Sequence, residues 1–275
     1  MSNAARVIAV LGAGNMAGAL ARRWAAAEPA AQLRLTTGSS RPSWAMAIPH
    51  VSHAAVSDHA TANADAVAGA DVVILGVKPH AIVALARDIA DAVAPGALVV
   101  SVAGGVRLAD LAAALPARVA VVRGMPNTPV AIGRGVTAFA VAPGAPDGTS
   151  ARLRDLFAPT GVVEEMDEGL IDAFSAVIGS GPAYVYAVVE ALSAAAVEQG
   201  LPADQAARMV PAMIGGAVAY LEATGRHSGD LRDEVTSPGG STAAALAAFS
   251  AHGLDDALAA GVRAATARAG ELGRG

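Results

Sequence analysis

The run Arg6-Val-Ile-Ala-Val-Leu11 passes directly into Gly12-Ala-Gly-Asn-Met-Ala17-Gly18 and then into alanine-rich sequence ending near Ala27. That order predicts a strand, a tight turn and a helix. The glycines fit a G-x-G-x-x-G/A pattern with Ala17 in third place. Gly12 permits the turn, Gly14 lets the backbone approach a pyrophosphate, and Ala17 and Gly18 allow close helix packing, with the phosphate on the helix N-terminus. Alone the fingerprint is weak, since many strand-to-helix turns need a glycine and hold no ligand.

Further positions strengthen it. Lys78 is the only lysine in the chain and follows the apolar run Asp71-Val-Val-Ile-Leu-Gly-Val77. Spacing alone leaves two readings open: a group facing a cofactor, or a strand-end residue reaching to solvent. The acidic residue that usually binds an NAD ribose after the second strand is missing, because no Asp or Glu occurs between Glu28 and Asp58. Gly38-Ser39-Ser40-Arg41 stands there instead, and a guanidinium fork beside hydroxyls suits a 2′-phosphate. NADPH is therefore the expected cofactor, with NADH as the alternative; a solvated turn carrying an incidental arginine is the competing reading.

These residues need a scaffold. Short apolar runs recur at Gln32–Thr36, Asp71–Val77, Ala97–Val102 and Arg118–Val122, separated by helix-like segments such as Ile82–Ala94. The alternation predicts an α/β fold with a parallel, doubly wound sheet of the Rossmann type. Ligands of such sheets lie beyond the carboxyl ends of the strands, where Gly76-Val-Lys-Pro79, Ser101–Gly105 and Met125-Pro-Asn-Thr-Pro129 fall. A last strand over Gly135–Ala142, a helix over Ser150–Ala158 and an extended Val162-Val163 complete this half. The remainder reads all-α: a segment from Asp167 broken by Gly179-Ser-Gly-Pro182, then helices over Ala183–Gln199, Ala203–Glu222, Ala243–Ser250 and Leu254–Leu272. The expected domains are 1–163 and 164–275.

The 275 residues are 54% hydrophobic and 16% charged, ample for a core, with a formal charge of −5 and arginines that, apart from Arg22-Arg23, are scattered singly. No nucleic-acid partner is expected. Cysteine is absent and the six histidines lack metal-ligand spacing, so no metal is expected. Charges, prolines and glycines interrupt every long apolar run before the ~20 residues of a membrane span, so a soluble protein with no membrane partner is expected. Met209-Val-Pro-Ala-Met-Ile214 and Ala243–Phe249 are apolar on more than one helical face, which points to burial between subunits in a homodimer or a larger assembly.

As a set, Gly12–Ala17, Val77-Lys-Pro79, Met125-Pro-Asn-Thr-Pro129, Gly179-Ser-Gly-Pro-Ala-Tyr184 and Val235-Thr-Ser-Pro-Gly-Gly-Ser-Thr242 resemble the pyrroline-5-carboxylate reductases over nearly the whole chain. The resemblance implies NAD(P)H-dependent reduction of 1-pyrroline-5-carboxylate to L-proline, the last step of proline biosynthesis, by a cytoplasmic enzyme. It implies a Rossmann domain followed by a helical domain that dimerises and completes the active site. The implied cofactor contacts are Gly12, Ala13, Gly14, Asn15, Met16, Ala17, Ser40, Arg41, Asn63, Val77, Lys78, Pro79, Val102, Ala103 and Gly104. The implied substrate contacts are Glu168, Ser237, Gly240, Ser241 and Thr242. Glu234 replaces an Asn found near the nicotinamide in some relatives, so no cofactor role is assigned to it.

That substrate is a cyclic imine bearing one carboxylate, yet no arginine occurs from Asp233 through Val262. The Ser237–Thr242 turn offers another anion site: Gly239 and Gly240 free the backbone to point N–H groups inward, the hydroxyls add donors, and the following helix contributes its dipole. A plain helix–turn–helix connection with Thr242 as N-cap competes with this reading. Thr242 is the candidate catalytic proton donor or relay, although a hydroxyl is a weak acid and orientation of a protonated imine carries more of the burden. Glu168 accepts from the ring N–H or orients the adjoining turn; an acidic residue favoured by the helix dipole is the bland alternative. A related imine or β-hydroxyacid reductase with Lys78 as acid, and a non-catalytic NADPH sensor, are the rival functions.

Overall fold

The computed structural model describes residues 5–272. Eight strands form one sheet: β1 (Val7–Leu11), β2 (Gln32–Thr37), β3 (Val51–Ala55), β4 (Val72–Leu75), β5 (Leu98–Ser101), β6 (Ala120–Pro126), β7 (Gly135–Val141) and β8 (Gly161–Glu165). The order is β3-β2-β1-β4-β5-β6-β7-β8, and every neighbouring pair is parallel except the antiparallel β6–β7. The parallel, doubly wound expectation holds for the nucleotide-binding part. The strand β3 was not legible, since Val51-Ser-His-Ala-Ala55 lacks an apolar run.

Helices α1 (Asn15–Ala27), α2 (Ser43–Met46), α3 (Ala62–Val67), α4 (Pro79–Ile89), α5 (Leu108–Ala114), α6 (Thr149–Phe157) and α7 (Ile171–Phe174) accompany the sheet. Period-two alternation sends strand side chains to two faces, and both faces are covered. Ala9, Leu11, Val73, Leu75 and Val99 pack with Val67, Ile82, Ile89 and Leu111. Ile8, Val10, Leu35, Ile74 and Val100 pack with Leu20, Trp24 and Phe157. Trp24 also donates its Nε1–H to the Leu156 carbonyl at 2.7 Å and meets the Phe157 ring edge-on.

Then follow α8 (Gly181–Glu198), α9 (Ala203–Thr224), α10 (Ser228–Glu234), α11 (Ser241–Ala251) and α12 (Leu254–Leu272), of which α10 was not expected. The chain divides into two compact units, one running through Ser180 and resumed at Ala265, the other Gly181–Ala264. Composition changes at 163–164, whereas compactness changes at Ser180, because Ile171 and Phe174 pack on the sheet cluster.

A π-turn over Ser175–Gly179 ends in a bend at Ser180, whose amide donates to the Ser175 carbonyl at 2.8 Å, and α8 starts at Gly181, so the expected interruption is present but only one residue long. This corrects the expectation about long apolar runs: Glu168–Glu198 is a 31-residue helical segment of mean hydropathy 1.2, long and apolar enough for a span by length and composition. Core helices of proteins that lie outside any membrane share that length and composition.

Candidate active site

β1 delivers its apolar side chains to the core and must then turn away at once. Gly12 does this at φ +77°, and a Cβ there would lie 2.5 Å from Val77 Cγ1. The amides of Gly12 and Ala13 donate to the Thr36 carbonyl at 3.0 and 2.8 Å, which ties the turn to the end of β2. Asn63 does not line the cleft above this turn; its Oδ1 accepts from Thr36 Oγ1 at 2.6 Å and braces the turn from below. Ala17 is buried beneath, its methyl filling space against Gly76 so closely that a Cβ on Gly76 would stand 2.3 Å away.

A cleft of about 600 Å³ opens at the carboxyl ends of β1, β2, β4 and β5. It is lined by Gly12, Gly14, Asn15 and Met16, by Ser40, by Val77, Lys78 and Pro79, and by Val102, Ala103 and Gly104. Eleven of the fifteen expected cofactor residues therefore meet around one space; Ala13, Ala17 and Asn63 support its floor, and Arg41 stands at its rim beside Ser40. Thr37, Gly38 and Gly76 line it too; Gly38 and Gly76 belong to the turns singled out from the sequence, and Thr37 was missed although it adjoins one of them. Lys78 precedes Pro79, the first residue of α4.

The cleft fits a dinucleotide. No side chain caps the N-terminus of α1, no acid stands in its first turn, and only the Gly12 carbonyl lies within 4 Å of a hypothetical Cβ on Gly14. Backbone N–H groups and the helix dipole are thus available to a pyrophosphate. At the rim, Thr37 Oγ1 donates to the Ser40 carbonyl at 2.5 Å and also meets His53 Nε2 at 2.9 Å. Burial and then Arg41 push the His53 imidazole below its usual range, against Asp58. Arg41 Nη2 donates to Asp58 Oδ2 at 2.5 Å; hydrogen bonds from Ser57 and then Arg41 hold the Asp58 carboxyl below the usual carboxylate range.

Glu168 sits elsewhere in the same unit, lining a recess with Glu165 and Asp167 that shares no residue with the nucleotide cleft. Its Oε1 accepts from the Leu108 amide at 2.7 Å, at the start of α5, and faces Arg123 Nη1 at 3.4 Å. Arg123 is buried on β6 and also donates to Asp172 at 2.5 Å. In the Met125–Pro129 motif the buried Asn127 donates Nδ2–H to the Ile178 carbonyl at 3.1 Å and accepts from the Val136 amide at 2.9 Å, which ties the strand end to the π-turn.

In the Gly181–Ala264 unit, Ser237 to Gly240 form a tight turn closed by the Gly240 amide donating to the Ser237 carbonyl at 3.0 Å, with Gly239 at φ +72°. Gly240 is the N-cap of α11, no side chain caps that helix, and its first turn carries no acid. Ser241 and Thr242 lie inside the first turn, so the competing reading of Thr242 as N-cap does not hold. Glu234 pairs with Arg226 at 2.5 Å. Among the described residues no three His, Cys, Asp or Glu side chains are grouped as metal ligands.

The sheet and its nucleotide cleft define an NAD(P)-dependent oxidoreductase with a Rossmann-type unit. Residues 7–105 match the family model described as NADP oxidoreductase coenzyme F420-dependent, and residues 168–272 match that of pyrroline-5-carboxylate reductase dimerisation. The pyrroline-5-carboxylate reductase of Pseudomonas aeruginosa is 36% identical over 96% of both chains, and that of Pisum sativum 32% identical over 95% of this chain and 94% of its own. Among solved structures, a Coxiella burnetii pyrroline-5-carboxylate reductase matches with a TM-score of 0.87 and 28% identity over 97% of this chain and 98% of its own. The Plasmodium falciparum pyrroline carboxylate reductase with NADP bound matches with a TM-score of 0.85 and 25% identity over 99% of both. The chain belongs to the pyrroline-5-carboxylate reductase family.

Proposed function

We propose that the chain reduces 1-pyrroline-5-carboxylate to L-proline with NADPH as the preferred donor, working as a cytoplasmic homodimer in proline biosynthesis. The observation that carries this reading is the presence in one chain of two uncapped helix N-termini on glycine turns. One stands in a nucleotide cleft and the other follows Ser237-Pro-Gly-Gly240. The family membership and the NADP-bound relative support the chemistry and the cofactor class.

A bound nicotinamide cofactor would supply the hydride; Gly14, Asn15 and Met16 would hold its pyrophosphate, and Val102–Gly104 and Lys78-Pro79 border the same cleft. Residues 1–163 act as the cofactor half and 164–275 as the substrate and dimer half. Ser237, Gly240, Ser241 and Thr242 take the substrate carboxylate through backbone N–H and hydroxyl donors, reinforced by the α11 dipole. Thr242 orients the imine nitrogen: a protonated imine needs no further proton when hydride adds to carbon, and a neutral imine takes one from the Thr242 hydroxyl, which regains it from water. Glu168, held by Leu108 and Arg123, orients the segment leading to Gly179.

The dimer reading rests on the apolar surface of α8, α9 and α11, and the cytoplasmic reading on family membership. The direct test follows NADPH and then NADH oxidation by the purified protein with 1-pyrroline-5-carboxylate. Fast turnover that is better with NADPH is expected. Cofactor binding without turnover would overturn the reductase reading in favour of a sensor.

A further inference from the structure

The unexpected strand β3 changes the surroundings of the Ser39-Ser40-Arg41 turn. It pairs in parallel with β2 and then continues the pairing beyond its own end: the Val56 amide donates to the Thr37 carbonyl at 2.8 Å and the Ser57 amide to the Gly38 carbonyl at 2.9 Å. Thr37 and Gly38 line the nucleotide cleft. Asp58 follows at once, so an acid seventeen positions from Arg41 in sequence is carried to the same rim and into contact with it. The carboxylate that the end of β2 lacks is supplied there by the end of β3.

We propose that Arg41 and Asp58 together read the 2′ position of the adenosine ribose, Arg41 engaging a 2′-phosphate and Asp58 accepting from a 2′-hydroxyl. The proposal rests on the reading that this cleft holds the dinucleotide with its ribose at Ser40-Arg41. Asp58 is then a specificity-determining residue that sets, with Arg41, the balance between the two cofactors.

Three features support it. The carboxylate spends Oδ2 on Arg41 and Oδ1 on the Ser57 hydroxyl at 3.1 Å, which leaves acceptor sites on both oxygens. The guanidinium donates one N–H to Asp58 and has four more, a fork suited to phosphate. The side chains are 69% and 40% exposed, and pairs that open to water are held weakly, so either member can turn toward a ligand at small cost. The turn beneath them is fixed by Thr37 Oγ1 on the Ser40 carbonyl, so a change of partner needs side-chain motion and no rebuilding of the backbone. Asp58 also sets the balance, since its negative charge opposes a phosphate that Arg41 attracts.

The test is calorimetric binding of NADP+ and NAD+, and of 2′,5′-ADP and 5′-AMP, to the full-length protein and to Asp58→Asn, Asp58→Ser and Arg41→Ser, with thermal unfolding as the folding control. Asp58→Asn is expected to raise the NADP+ over NAD+ affinity ratio about tenfold, partly by weakening NAD+; Arg41→Ser should lower it by a similar factor. The adenylates, which differ in the 2′-phosphate alone, should show the same shifts. If Arg41→Ser lowers the ratio while both Asp58 variants leave it unchanged, or weaken both cofactors equally, the Ser40-Arg41 reading stands and the role of Asp58 is overturned. If no variant moves the ratio, the cofactor reading falls with it.

Discussion

In the sheet, Val72, Val73, Ile74 and Leu75 are successive residues no more than 4% exposed, whereas in Gly181–Ala264 the side chains of Tyr186, Met209, Met213 and Tyr220 are 54% to 59% exposed. Ala206 is the one buried residue there among those described. A parallel strand needs cover on two faces, and the sheet's own helices provide it. The later helices are apolar on several faces and find no such cover within their own unit. One region is complete as a single chain; under the proposed function the other is completed by a second copy. The contrast separates a half whose failure is a packing failure from a half whose failure is one of assembly and catalysis.

The hardest test of that contrast is Met209→Asp combined with Met213→Asp, which puts two charges one turn apart on α9. The expected outcome is a monomer by light scattering with turnover reduced more than ~100-fold, because desolvating unpaired charges costs several kcal/mol. A fully active dimer would erase the distinction. Thr242→Ala comes next: kcat should fall roughly 100-fold with NADPH affinity nearly intact, the lower end of what a positioned proton donor contributes. Equal loss of cofactor binding would show that the two halves cannot be treated separately.

The sheet half should respond through stability. Gly76→Ala drives a methyl into Ala17 and is expected to cost ~1–3 kcal/mol in thermal or denaturant unfolding, with weakened NADP+ binding. Unchanged stability would mean that the turn has slack. Arg208→Ala marks the small end: it removes an exposed pair with Asp204 one turn away on α9, and the unfolding free energy should move by less than ~0.5 kcal/mol.

The cofactor cleft was legible because its parts are local: glycines, a strand end and the residues beside it carry their meaning in short spacing. Gly12 and Gly14 of the fingerprint, Ser40 and the strand-end runs around Lys78 and Ala103 line one space, where the family resemblance added Asn15 and Met16. What escaped depends on tertiary pairing. Ser52 and His53 dilute the apolar signal of β3, so neither the strand nor the arrival of Asp58 at Arg41 could be read from the chain. Glu168 was legible as a polar residue before a helix, but its ties to Leu108 and Arg123 span 60 and 45 positions. The π-turn at Ser175–Gly179 has no signature in one sequence beyond its glycine, and the Asn127 bond to Ile178 becomes meaningful once that turn exists.

The contact between Ala17 and Gly76 has an evolutionary corollary. One methyl group fits between α1 and the end of β4, and it is currently contributed by the helix. Removing the Ala17 methyl relieves the closest of the clashes, while a methyl at 76 would still stand 3.0 Å from the Gly12 carbonyl oxygen. Ala17→Gly together with Gly76→Ala should therefore recover part of what Gly76→Ala loses, so a lineage could pass the methyl across the gap only if the Gly12 turn gives a little.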